Sequence, residues 1–278
     1  MKHIKIGCFG DVVGSAGRAI FQKYIPKLKT QFHLDGILVN GENSAATGRG
    51  ISNKNVLFFK HLGVDVITSG NHIYQSKDVY AYLETKKDLL RPANFPSTAP
   101  GTGVTTFITP SGVVVGVINI QGRVFMKELL DCPFRSVDSL IILLKQKTNC
   151  IFVDFHAETT SEKMAIAHFV SGRVSAVFGT HTHVQTADER ILPGGTAFIT
   201  DLGMAGSLNG MLGMKKEPVL HQFLTQMPAK YEVDHALPLV LCGIVVTVDV
   251  QTGKATAIER IRIVENDIHV EIEDPKHS

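Results

Sequence analysis

Two histidines sit two residues apart where an apolar run stops: Val174 to Phe178 leads into Gly179-Thr180-His181-Thr182-His183. In extended backbone, residues i and i+2 face one side, so the spacing predicts two imidazoles converging at a strand end. Neutral imidazole is a favoured ligand for Zn, Fe, Cu and Ni. Two solvated surface histidines would look the same, and what shifts the balance is four further strand ends. Asp11 follows Ile4 to Phe9, Glu42 and Asn43 follow Gly36 to Val39, Asn71 and His72 follow Val64 to Thr68, and His156 follows Cys150 to Phe155. A lone Asp or Asn after a strand is more often a turn former. Five ends carrying carboxylates, amides and imidazoles together point to a metal site.

Mixed oxygen and nitrogen donors suit Fe, Mn or Zn. They are more numerous than one four-coordinate ion requires. Two ions about 3.5–4 Å apart can share a carboxylate, and such a pair clamps the attacking and leaving oxygens of a phosphoryl centre. Glu42 is the natural bridge.

The elements that must position these residues alternate. Ile20, Tyr24, Leu28 and Phe32 recur every four residues and predict a helix from Ala16 to Phe32. Ser52 is placed to cap a helix carrying Val56, Phe59 and Leu62, and Ser76 one that runs through Leu83. Strand and helix in alternation predict a parallel sheet with crossover helices, whose ligands gather outside the carboxyl ends of the strands. Gly10, Gly41, Gly70 and Gly179 stand before the polar ends, where a glycine permits a sharp turn.

Beyond residue 103 hairpins appear. Val104 to Thr109 and Val113 to Ile120 flank Pro110-Ser111-Gly112, a second lies around Pro193-Gly194-Gly195, and Val240 to Val250 with Lys254 to Val264 form a third. Helices are expected over Ser136 to Lys147 and Ser161 to Val170, the latter with Glu162 three residues after Thr159. Residues 204–237 are rich in Met, Gly and Pro and lack strand signals. They suit a cap over the site or the contact of a homo-oligomer, the assembly expected here. No repeat or linker divides the chain, so 1–278 is expected to be one domain, with a frayed charged tail over Glu271 to Ser278.

Composition excludes several functions. Hydrophobic content of 44% and charged content of 19% belong to a globular protein. A net charge of +2 and the absence of Trp argue against direct nucleic-acid binding. With no signal peptide and no long apolar run, a cytoplasmic, membrane-free protein is expected. Cys8, Cys150 and Cys242 lie in apolar runs as small buried hydrophobes, and no C-x-x-C occurs. No G-x-S-x-G elbow or G-x-x-x-x-G-K-[ST] loop occurs. The other histidines are expected to pack or face solvent, with His221 and His235 worth watching. Arg49 and Arg123 read as solvated charges, and Ser44 to Gly50 equally as a connector or a phosphate-binding loop.

Gly10-Asp11, Gly41-Glu42-Asn43, Gly70-Asn71-His72, His156 and Gly179-Thr180-His181-Thr182-His183, in this order, resemble the calcineurin-like metallophosphoesterases. Asp11-Val12-Val13-Gly14 and Gly41-Glu42-Asn43 resemble their bacterial YmdB-like branch, over nearly the whole chain. The resemblance implies an α/β fold, an αββα sandwich of mixed β-sheets flanked by helices. It implies that Asp11, Glu42, Asn43 and His183 hold one metal and that Glu42, Asn71, His156 and His181 hold the other. His72 would protonate the leaving oxygen. The broader superfamily carries Asp-x-His at the first strand, and here Asp11-Val12-Val13 lacks that histidine; Glu42 replaces the bridging Asp. Both departures match the YmdB-like branch, with Asn43 supplying oxygen. The harder donor set favours iron, then manganese, over zinc. The implied activity is a two-metal phosphodiesterase on small phosphodiesters, cyclic nucleotides such as 2′,3′-cAMP among them. A phosphomonoesterase or nucleotidase, or a regulatory nucleotide- or partner-binding protein with incidental hydrolysis, are the alternatives.

Overall fold

The computed structural model describes residues 2–273, so the last part of the charged tail lies outside the described residues. The first part of the chain runs β1 (His3–Phe9), β2 (Asp11–Val12), α1 (Gly14–Phe32), β3 (Gly36–Asn40), α2 (Asn53–His61), β4 (Val66–Thr68) and α3 (Tyr80–Thr85). A second run follows: β5 (Val104–Ile108), β6 (Val114–Gln121), α4 (Pro133–Lys145), β7 (Cys150–His156), α5 (Thr160–Val170), β8 (Ala176–Thr180), β9 (Arg190–Ile191) and β10 (Ala197–Ile199). The chain then returns through β11 (Met204–Ser207), α6 (Lys216–Thr225), β12 (Leu239–Asp249) and β13 (Ala255–Glu265).

These strands build two mixed sheets. One has the order β2-β11-β12-β1-β3-β4, with β13 paired to β12; the other has the order β5-β6-β7-β8-β10-β9. The expected parallel pairs β1–β3, β3–β4, β6–β7 and β7–β8 are present. An antiparallel return strand, β12, is wedged against β1.

The apolar residues sort by strand period. Ile4, Ile6 and Cys8 of the first sheet meet Val115, Val117 and Phe152 of the second in a core between the sheets. On the outer face of the first sheet, Phe9 and Val39 pack on Ile20, Phe21 and Phe59 of α1 and α2. On the outer face of the second, Ile151, Val153 and Phe155 pack on Val137, Ile141 and Ile166 of α4 and α5. Strands covered on both faces read as continuous apolar runs, as these do. The result is helix, sheet, sheet, helix.

Helix entry follows the sequence in two places. Ser52 and Thr159 accept from the backbone N–H of Asn55 and Glu162, contacts worth about 1 kcal/mol each. The Glu162 carboxylate does not complete a capping box. It accepts instead from the backbone N–H groups of Arg123 and Val124.

Three expectations change. Residues 204–237 do contain a strand: β11, without a single β-branched residue, is strand because β2 and β12 flank it. The helix expected from Ser136 starts at Pro133, where proline suits the first turn. The tail is anchored as far as it is described, since Glu273 pairs with Arg18 and, at 2.7 Å, with Lys54. Cys8, Cys150 and Cys242 are buried. Among the described residues no helix is long and apolar enough to cross a membrane.

Candidate metal centre

Both sheets aim the carboxyl ends of their parallel strands at one place. The first sheet contributes Asp11 at the start of β2, Glu42 and Asn43 just past β3, and Asn71 and His72 just past β4. The second contributes His156, the last residue of β7, and His181 and His183 just past β8. Nε2 of His156 is the hub of one group, with Glu42 Oε1, Asn71 Oδ1 and His181 Nδ1 each 3.0 Å away. Glu42, His156 and His181 offer ligand atoms that all lie within 4.8 Å of one another. A second group adjoins it: His183 Nε2 is 3.0 Å from the Asn43 amide and 3.7 Å from Asp11 Oδ1. Glu42 stands between the groups, its Oε1 3.5 Å from that amide and its Oε2 accepting the His72 backbone N–H at 3.1 Å. The structure thus gathers every residue singled out from the strand ends.

The donor chemistry fits a cation. Nδ1 of His156 lies 2.9 Å from the Thr180 hydroxyl, which itself donates to Asp154 Oδ1 at 2.7 Å. Thr180 therefore accepts from His156, Nδ1 carries a proton, and Nε2 is the nitrogen turned to Glu42, Asn71 and His181. Such a fixed tautomer is what a metal ligand needs. Among the described residues Asp11 Oδ1 is buried without a hydrogen-bond partner, a costly state for a carboxylate oxygen unless a cation meets it.

The ionisation states agree. Burial opposes charge on Glu42, but the adjoining His156 imidazole prevails and holds its pKa at about 2. Burial also opposes the His156 cation, yet the carboxylates of Glu42 and Asp11 raise it to about 9. His181 falls to about 3, because burial and the charge on His156 both resist a second proton. Burial raises Asp11 against the pull of His183 and His156. One proton at the hub stands where a cation would.

The histidine turn is not the extended segment its spacing suggested. His181 and His183 lie beyond β8 with φ of 98° and 64°, left-handed values that cost of order 1–3 kcal/mol each in non-glycine residues. They turn to different groups instead of converging. Asp11 Oδ2 takes the His181 backbone N–H at 3.1 Å, and Asp201 Oδ2 takes Thr182 through its N–H at 3.2 Å and its hydroxyl at 2.8 Å. The glycines before the strand ends serve space, not φ. A Cβ on Gly70 would lie 2.1 Å from the His156 ring, and one on Gly179 would lie 1.8 Å from the Thr200 carbonyl oxygen.

The centre opens into a cleft of about 360 Å³. Its lining is of two kinds: the polar Glu42, Asn43, His72, Glu158, His181 and His183, and the apolar or aromatic Met211, Leu212, Met214, Val219, Phe223 and Tyr231. Residues 204–237 therefore wall the cleft. His72 is half-buried there, its Nδ1 enclosed without a partner and its pKa lowered by burial. The Ser44 to Gly50 loop reaches the cleft through Gly48 and Arg49. The Ala45 and Gly48 amides close turns within the loop and are not free for a phosphate. Arg49 is at the cleft with its guanidinium 5.7 Å from the Tyr231 ring, whereas Arg123 lies in a separate depression. His235 bonds Ser15 at 2.9 Å, and neither it nor His221 lines the cleft.

The YmdB-like protein family matches residues 8–261 of this sequence. The chain belongs to that family. It is 46% identical over 267 residues to a 2′,3′-cyclic-nucleotide 2′-phosphodiesterase of Bacillus subtilis (strain 168), covering 96% of this chain and 99% of the relative. A crystal structure described as a novel phosphatase, from Mycoplasma pneumoniae, matches with a TM-score of 0.89 at 39% identity, over 96% of this chain and 95% of that one. A hypothetical protein from Thermus thermophilus matches with a TM-score of 0.87 at 34% identity, over 94% of this chain and 100% of that one.

Several residues that shape the centre of this YmdB-like chain escaped the reading of its sequence. Asp154, fully buried, joins the sheets beneath the hub: it accepts from Thr180 of the second sheet, and from Thr68 and Asn40 of the first. Burial raises its pKa to about 7. Asn119 of β6 bonds both backbone groups of Ser69, at 2.9 and 3.0 Å, and so holds the approach to Asn71. Asp201 is paired at 2.6 Å with Lys163, which is only 1% exposed. Glu158 lies 3.1 Å from His181 Nε2. The sequence signal was a polar residue inside an apolar strand, clearest at Asp154, two positions before His156 and so on the same face.

Proposed function

We propose that the chain is a two-metal phosphodiesterase that opens cyclic nucleotides such as 2′,3′-cAMP. Family membership and close identity to a curated phosphodiesterase make it a phosphoric diester hydrolase. The observation that supports the two-metal reading is the position of Glu42 between two donor groups. Asp11, Glu42, Asn43 and His183 would hold one ion, and Glu42, Asn71, His156 and His181 the other. The oxygen-rich first set favours iron, with manganese the alternative. When bound, such a pair activates water and neutralises charge building on the phosphoryl oxygens.

The chain's own residues do the rest. Thr180 accepts from Nδ1 of His156 and so turns Nε2 to the centre. Leu212 holds His183 by accepting from Nδ1 at 2.9 Å. His72 lines the cleft, with its backbone N–H on Glu42, and in this reading it gives a proton to the departing ribose oxygen, a poor leaving group unless protonated.

The test is turnover by metal-loaded protein of 2′,3′-cAMP and bis-p-nitrophenyl phosphate, with ions per chain counted by elemental analysis. About two ions per chain and diester turnover support the proposal. One ion, or none with undiminished turnover, rejects it. The phosphatase description of the Mycoplasma pneumoniae structure favours monoesters as a second reading; the ratio of diester to monoester turnover decides between them.

A further inference from the structure

We propose that the apolar wall of the cleft is a nucleobase subsite, with Phe223 as its stacking face; this rests on the cyclic-nucleotide reading above. The cleft lining is of two kinds. One kind gathers groups suited to a phosphodiester. The other presents an aromatic and aliphatic surface, and Phe223 there is left 70% exposed. A cleft of about 360 Å³ takes a small ligand. The ligand that fits both has an anionic end and a flat apolar end, as a nucleotide does.

The wall is braced by hydrogen bonds. Tyr231 is held at its hydroxyl, which donates to Gln222 at 2.6 Å, and faces the Arg49 guanidinium at 5.7 Å. Gln222 precedes Phe223 on α6, so the hydrogen bond ties the two aromatic positions together. Leu212, in left-handed backbone with φ of 55°, turns its carbonyl to His183 Nδ1 at 2.9 Å. The wall and the centre therefore share a support, and a base stacked on the wall is held at a set distance from the reacting phosphorus. Stacking tolerates any base, because every base has a π-face. The subsite predicts a preference for nucleosides over bare diesters with little choice among bases.

Two five-membered cyclic diesters separate the possibilities: 2′,3′-cAMP and glycerol 1,2-cyclic phosphate, which lacks a base. In Phe223→Ala the KM for 2′,3′-cAMP should rise about tenfold relative to that for glycerol 1,2-cyclic phosphate, a size within base–aromatic stacking. In Phe223→Tyr the ratio should return to within about twofold of the native one. Equal KM changes for both diesters, or none, overturn the subsite and leave the phosphodiesterase reading standing. Should the native protein turn over neither diester, that reading fails by itself. Adenosine binding, followed by NMR line broadening, then judges the subsite: binding lost in Phe223→Ala supports it, and no binding to the native protein overturns it.

Discussion

The two sheets supply the centre with different chemistry and hold it by different means. The first offers oxygen: Asp11 as the first residue of β2, and Glu42, Asn43 and Asn71 in the turns after β3 and β4. The second offers nitrogen: His156, His181 and His183. The oxygen side has little behind it. Asp11 Oδ1 has no hydrogen-bond partner, and Glu42 is held by His156, His72 and the Asn43 amide. The nitrogen side rests on buried carboxylates, with Asp154 acting through Thr180 beneath His156 and Asp201 beneath the 181–183 turn. Oxygens without protein partners wait for cations, whereas imidazoles must first be given a tautomer and a direction. Damage to the first sheet's residues should remove charge, and damage beneath the second should remove orientation.

Glu42→Gln tests the first half and carries the largest expected effect. It keeps the shape and deletes the one carboxylate that reaches both groups. Diester turnover should fall by about a thousandfold or more, the scale of several kcal/mol of lost charge stabilisation. Circular dichroism should stay native. Undiminished turnover in a folded variant would remove Glu42 from the bridging position.

Asp201→Asn tests the second half. It weakens the hold on Thr182 and leaves Lys163 as a buried cation without its partner. Metal affinity should drop about 10- to 100-fold, the usual cost of disturbing a ligand's support. Stability should drop too, by about 3–5 kcal/mol for an uncompensated buried charge. Lys163→Met with Asp201→Asn should recover most of the stability and little of the affinity. Recovery of both would reduce Asp201 to a structural partner of Lys163.

The proton at the hub couples the halves. His156 has a pKa of about 9 without metal, so below that pH a cation must displace a proton. Uptake at pH 7 should release about one proton per chain, and affinity should rise about tenfold per pH unit until about pH 9, then level off. Titration in buffers of different ionisation enthalpy measures the release. Affinity flat between pH 7 and 8 would mean that Nε2 of His156 is already free.

Much of this was legible in the chain, and the limits have physical causes. Strands covered on both faces announce themselves as apolar runs, so the tips after β3, β4, β7 and β8 could be located. β11 could not, because Met204 to Ser207 has no strand propensity of its own and is held by neighbours far away in sequence. Ligand types and spacing marked the centre; its supports were hidden, since Asp154 and Asp201 act across sheets and a sequence carries no register between sheets. The glycines were noticed for the wrong reason, as Gly70 leaves room for the His156 ring while the left-handed backbone falls on the histidines themselves.

The smallest expected effect separates the two halves most sharply. Thr180→Val keeps the branched shape and removes one hydroxyl, the acceptor for His156 Nδ1 and a donor to Asp154. Asp154 retains Thr68 and Asn40, so the fold should survive. His156 loses the contact that fixes its tautomer, while Asp11, Asn43 and His183 are untouched. Manganese titration should show two binding events, with only the one at His156 weakened, by about tenfold. If both weaken together, the two groups form a single electrostatic unit and the contrast between the sheets loses its meaning. If neither weakens, the Glu42 carboxylate alone orients His156, and the support beneath the second sheet matters for packing only.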